Sequence, residues 1–139
     1  MSVETTLAII KPDAFGTGKA GRILAHLENE GFELLAARVV RLGAAQAGEF
    51  YSVHRERPFF ASLTQFMTSG RCMPLALRRE NAVAHLRSVI GATDPAEAAE
   101  GTVRALYAES KERNAIHASD SVANAAVEVS FFFPGTELT

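Results

Sequence analysis

The chain has 139 residues, 14 basic and 16 acidic side chains, and a formal net charge of −2. That length fits a single domain over residues 1–139, and the ordinary 47% hydrophobic and 22% charged content excludes intrinsic disorder. The charge balance disfavours a general nucleic-acid or acidic-membrane binder. The one cysteine, Cys72, excludes an internal disulfide, and no run approaches the roughly 20 apolar residues of a membrane span.

Residues 5–10, Thr5-Thr6-Leu7-Ala8-Ile9-Ile10, form a β-branched, apolar run that predicts a buried strand ended by Lys11-Pro12-Asp13. Ile23, Leu24 and Leu27 share one face of a helix over 20–30, with Gly31 at its stop. A second strand is expected over 32–42, then short helices over 44–54 and 58–68, with Pro58 in a first helical turn. A third strand is expected over 72–77, weakened by Pro74. A helix follows over 81–90, ended by Gly91. Residues 91–113 have weak periodicity. A short fourth strand over 115–117 precedes a helix capped by Asp120 or Ser121 and ending near Phe133. This order fits an α+β, ferredoxin-like sandwich: a four-stranded antiparallel sheet covered by helices.

Gly16-Thr17-Gly18-Lys19-Ala20-Gly21 matches G-x-G-x-x-G. Five residues separate it from the strand, whereas a dinucleotide fingerprint follows its strand directly, so a flexible loop is the better reading. His26, His54, His85 and His117 show no zinc-binding spacing. The first three fit packing or surface roles. His117 stands among small polar residues just before a helix N-terminus, where free N–H groups favour an anion. A neutral imidazole there can attack an electrophile if a partner fixes its tautomer, and Glu128 on the following helix is a candidate partner.

Several motifs together resemble the nucleoside diphosphate kinase family along almost the whole chain. They are Ile10-Lys11-Pro12-Asp13, Phe50-Tyr51, Arg57-Pro58-Phe59-Phe60, Phe66-Met67-Thr68-Ser69-Gly70, Glu80-Asn81-Ala82-Val83, Gly91-Ala92-Thr93-Asp94-Pro95, Gly101-Thr102-Val103-Arg104 and Asn114-x-x-His117-x-Ser119-Asp120-Ser121. The resemblance implies a two-step transfer of the γ-phosphoryl group of a nucleoside triphosphate such as ATP to a nucleoside diphosphate. His117 is then the pros-phosphohistidine nucleophile. Glu128 holds its other nitrogen, with Ser119 in support, and Tyr51 and Lys11 lie beside it. Lys11, Arg87 and Arg104 contact phosphates, Thr93 and Asn114 bond phosphate and sugar, and Phe59 stacks on the base beside Leu63. Mg²⁺ is implied on the nucleotide, without protein side chains as ligands. The resemblance also implies a homo-oligomer, tetramer or hexamer, built from dimers. Neither nucleic acid nor membrane is an expected partner, and the expected location is cytoplasmic. Departures from the family's usual pattern are Ala118 for a glycine, Leu106 for an aspartate, Arg78-Arg79 for Glu-Gly, and Arg71 with Pro74 in the third strand.

Overall fold

The apolar run near the N-terminus becomes strand β1 (Val3–Ile10) of a computed structural model that describes residues 2–135. Successive side chains of a strand point to opposite faces. Leu7 and Ile9 therefore enter one core with Tyr51, Phe66, Met67, Val129 and Phe132, while Ala8 and Ile10 enter another with Ile23, Leu27, Leu86 and Ile90. Both faces of β1 are covered from Thr6 onward, which is why Leu7–Ile10 carries no polar alternation.

The sheet has the order β2-β3-β1-β4, with β2 at Glu33–Ala37, β3 at Met73–Glu80 and β4 at Ile116–Ala118. Every neighbouring pair is antiparallel. On one face lie α2 (Ala20–Asn29) and α5 (Ala82–Ile90). On the other lie α3 (Ala44–Phe50), α4 (Phe60–Met67) and α7 (Val122–Phe132). This is the expected ferredoxin-like sandwich. Ser121 is the cap of α7, its side chain accepting from the Asn124 N–H at 3.0 Å.

The differences from expectation are local. Pro12-Asp13, read as a strand end, opens a one-turn helix α1 (Pro12–Gly16), where proline suits the first position. The G-x-G-x-x-G segment is partly helical rather than all loop: Gly16 ends α1 and Gly21 lies in α2. A further one-turn helix, α6 (Val103–Tyr107), lies within 91–113 and is too short to show a period. Pro58 precedes α4 instead of entering it. The second strand stops at Ala37, with only a Val40–Cys72 bridge beyond. The third runs on to Glu80 despite Pro74, whose carbonyl accepts from the Arg38 N–H just past the end of β2. The nitrogen of Pro74 faces that same frayed side, so no ladder bond is lost at the centre of the sheet.

Two features of this frame set the site. Ile9 pairs directly with His117, so His117 projects to the face covered by α3 and α7, while Ile116 and Ala118 enter the opposite core. Gly91 ends α5 with φ +88°, and a Cβ there would lie 2.5 Å from Thr102 Oγ1. Thr102 caps α6, which carries Arg104. Gly91→Ala is expected to cost about 2–4 kcal/mol through left-handed strain plus overpacking. Thermal unfolding followed by circular dichroism should show a midpoint lower by roughly 5–15 °C.

Candidate active site

His117 is held from one side. Its Nε2 lies 2.8 Å from Glu128 Oε1, and Ser119 Oγ donates to the same oxygen at 2.8 Å. An ionised carboxylate only accepts, so Nε2 carries the hydrogen and Nδ1 keeps a free lone pair. The ring is braced by edge contacts with Phe50 and Tyr51, at centroid distances of 5.5 and 6.2 Å. The Tyr51 hydroxyl is buried without a partner among the described residues, and burial, then Cys72 and Glu128, raises its pKa far above the usual phenol value. It remains a neutral donor.

Cations surround the backbone of His117. Arg104 donates to the carbonyl of Ile116 at 2.7 Å and to that of Gly91 at 3.0 Å, while its buried Nε has no partner among the described residues. Arg87 reaches the carbonyl of Ala118 at a longer 3.4 Å. The residues immediately before and after His117 thus each carry a guanidinium. Burial, followed by the charge of Arg87, lowers the Arg104 pKa to about 10. Burial, followed by the charge of Arg104, lowers Lys11 to about 8. Like charges that depress one another raise the energy of the empty site and favour an anion between them.

Lys11 and Asn114 join this cluster to a cavity. Lys11 Nζ donates to Asn114 Oδ1 at 2.9 Å, and Asn114 Nδ2 donates to the Thr93 carbonyl at 3.2 Å. A cavity of about 490 Å³ is lined by Lys11, Phe59, Leu63, Thr93 and Asn114. Phe59 is 47% exposed, an open aromatic face. Thr93 also lines a neighbouring hollow of about 460 Å³ with Arg87 and Arg104. The residues expected at the site therefore form one continuous region: the His117–Glu128–Ser119 chain with Tyr51, the cations, then the aromatic cavity. Ser62, Lys111 and Glu112 also line the cavity, and Phe50 braces the histidine; the sequence reading gave these no role. Phe50 adjoins Tyr51 in a motif already singled out. Lys111 and Glu112 lie in the aperiodic stretch, where only three-dimensional proximity marks them. Two other histidines serve packing or surface contacts: His54 packs on Phe59 with ring centroids 5.4 Å apart, and His85 Nε2 lies 3.1 Å from Glu30 Oε1.

The sequence model of the nucleoside diphosphate kinase family matches residues 4–138. The chain belongs to the nucleoside diphosphate kinase family. It is 56% identical over 136 residues to the nucleoside diphosphate kinase of Chlorobium chlorochromatii, covering 98% of this chain and 97% of that one. It is 53% identical to that of Dechloromonas aromatica, over 97% and 95% of the two chains. The solved Aquifex aeolicus nucleoside diphosphate kinase superposes with a TM-score of 0.97 at 45% identity, covering 99% of this chain and 100% of that chain.

As a nucleoside diphosphate kinase family member, the chain is a phosphotransferase, and its departures at Ala118, Leu106 and Arg78-Arg79 direct no side chain at His117. Among the described residues, only Asn81 and Ala115 of the non-glycines have positive φ, so Ala118 sits without left-handed strain. Its side chain points into the core away from His117. Leu106 is 55% exposed, on α6. Arg78 lies 3.8 Å from Glu33, and Arg79 lies over the Phe32 ring at 5.4 Å, both at the far end of β3.

Proposed function

We propose that the chain transfers the γ-phosphoryl group of a nucleoside triphosphate, typically ATP, to a nucleoside diphosphate through a phosphohistidine on His117, maintaining nucleoside triphosphate pools. The observation that carries this reading is the arrangement about His117: a carboxylate on Nε2 and guanidinium groups on both flanking carbonyls. In the first step Nδ1 attacks the γ-phosphorus in line with the bond to the β-phosphate oxygen. The N–P bond forms, the P–O bond breaks, and its electron pair leaves on the diphosphate. No proton has to move. The ring becomes a cation, and Glu128 offsets that charge through the Nε2–H bond. The second step reverses the first on another diphosphate, giving ping-pong kinetics.

Lys11, Arg87 and Arg104 stabilise charge on the equatorial phosphoryl oxygens, and the buried Tyr51 hydroxyl donates beside them. Thr93 and Asn114 orient phosphate and sugar. Phe59 with Leu63 takes the base by stacking, which tolerates any base because each has a π-face. The cationic and neutral donors of the site suit a nucleotide whose own phosphate oxygens carry Mg²⁺. Bound there, the ion neutralises phosphate charge. The proposal places the enzyme in the cytoplasm as a single-domain subunit of a homo-oligomer built from dimers, a tetramer or hexamer, acting without nucleic acid or membrane. No helix among the described residues is long and apolar enough to cross a membrane.

The test is to mix the chain with Mg²⁺ and γ-labelled ATP, then chase with GDP. Acid-labile label that moves to GTP is the expected result. A folded chain that binds ATP and takes up no label overturns the reading. Glu128→Gln provides a second check. Ser119 and the imidazole both donate to Oε1, so the amide oxygen should take that position and keep the tautomer while losing the charge. Phosphorylation should slow by roughly 10- to 100-fold with nucleotide affinity unchanged.

A further inference from the structure

One buried carboxylate has no part in that mechanism. Asp13 is 5% exposed, yet among the described residues no cation lies within hydrogen-bond distance of it. Its Oδ2 accepts the backbone N–H of Ala115 at 3.0 Å, 102 residues away, and its Oδ1 is buried without a partner among the described residues. Burying a carboxylate is costly, and what offsets it here is the bond from the Ala115 N–H together with the nearby charge of Lys11.

Ala115 is what that bond holds. This residue has φ +75°, and the Ile116 N–H bonds back to the Asn114 carbonyl at 2.9 Å. Those two facts define a γ-turn of the positive-φ kind, which is strained for any residue with a Cβ. The Ala115 carbonyl is fixed as well, accepting from the Lys11 N–H at 2.9 Å. Both polar groups of one strained residue are therefore gripped by the segment that carries Lys11. The turn lies between two site residues. Asn114, on one side, meets Lys11 Nζ, and His117 stands two residues beyond on the other.

We infer that Asp13 is a positioning residue for phosphoryl transfer: its carboxylate keeps Ala115 at positive φ, and this sets His117 against Lys11 and Asn114. The inference rests on the phosphohistidine reading above. Without the Asp13 acceptor, Ala115 relaxes toward negative φ and the peptide on each side rotates. A displacement of about 1 Å at reacting groups costs on the order of 100-fold in rate. Glycine takes positive φ without strain, so it removes the need for the clamp.

The experiment is a double-mutant cycle on single-turnover phosphorylation by Mg²⁺ and γ-labelled ATP. Asp13→Ala is made in the parent and again beside Ala115→Gly, with ATP affinity and thermal midpoint measured for each protein. In the parent, Asp13→Ala should slow phosphorylation on the order of 100-fold. Beside Ala115→Gly, it should cost within about threefold, the difference being the coupling between the two sites. An equal cost in both backgrounds overturns the inference, because a carboxylate serving the core or the charge of Lys11 gains nothing from a glycine at 115. No rate loss in folded Asp13→Ala overturns it too. If Asp13→Ala fails to fold, Asp13→Asn, which keeps a weaker acceptor, is compared in the same two backgrounds under the same criterion. A parent that takes up no label refutes the phosphohistidine reading, a result distinct from label uptake with background-independent cost.

Discussion

Replacing His117 by alanine is expected to slow phosphotransfer by at least about 10⁴-fold, the scale on which removal of a covalent nucleophile acts. The loss should fall on chemistry. Lys11, Phe59, Leu63, Thr93 and Asn114 line the cavity without help from the imidazole, so ATP affinity should stay within about threefold of the parent. The fold should survive as well. The ring gives up its contacts with Phe50 and Tyr51, but Glu128 keeps the Ser119 hydroxyl as a donor, so the carboxylate is not left alone. Single-turnover labelling together with calorimetric titration of ATP separates the two effects. Retained acid-labile label in the variant would mean that another residue carries the phosphoryl group. Lost ATP affinity would mean that His117 supports the cavity.

The legible parts of the sequence are those with a period or a fixed chemical requirement. Strand β1 is readable because its second half, Leu7–Ile10, is an unbroken apolar run buried on both faces. The amphipathic α2 and α5 declared themselves by spacing and by the glycines that end them. His117 was readable as a candidate from its setting before a capped helix, and its partner Glu128 lies two turns into that helix. Family resemblance then tied Lys11, Arg87 and Arg104 to it, residues that taken singly look like ordinary surface charges.

What stayed hidden depends on distance in space. Helices α1 and α6 have one turn each, too few residues to show a period. Pro74 is a flaw in a strand by sequence alone, and only the end of β2 beside it makes it tolerable. Asp13 was visible as part of a motif, but its contact lies 102 residues away, and no local pattern announces that an alanine will adopt positive φ. The strain at Ala115 and the clamp that sustains it exist only once β1 and β4 are paired.

Lys11→Met is expected to reduce phosphorylation by roughly 10²–10³-fold, the cost of removing one charged donor from a developing oxyanion. The same lysine should set a pH limit. Burial, then the charge of Arg104, brings its pKa to about 8 from 10.5. As pH rises through 8 the free enzyme loses the charge that meets phosphate, so kcat/KM should fall about tenfold per pH unit above that point. Stability should move the opposite way. Between pH 8 and 10.5 the unfolded chain holds this proton and the folded chain does not, so the contribution of Lys11 to stability rises with pH across that window. Below pH 8 the folded protein carries a buried ammonium at its full cost. The thermal midpoint of the parent, without nucleotide, should therefore gain on that of Lys11→Met between pH 7 and pH 9.5. Parallel midpoints across that range, or a kcat/KM profile without the basic fall, would show that burial does not hold Lys11 near the edge of its charge. Both results as expected would mean that a charge costly to the empty fold is kept at this position for the phosphate it meets.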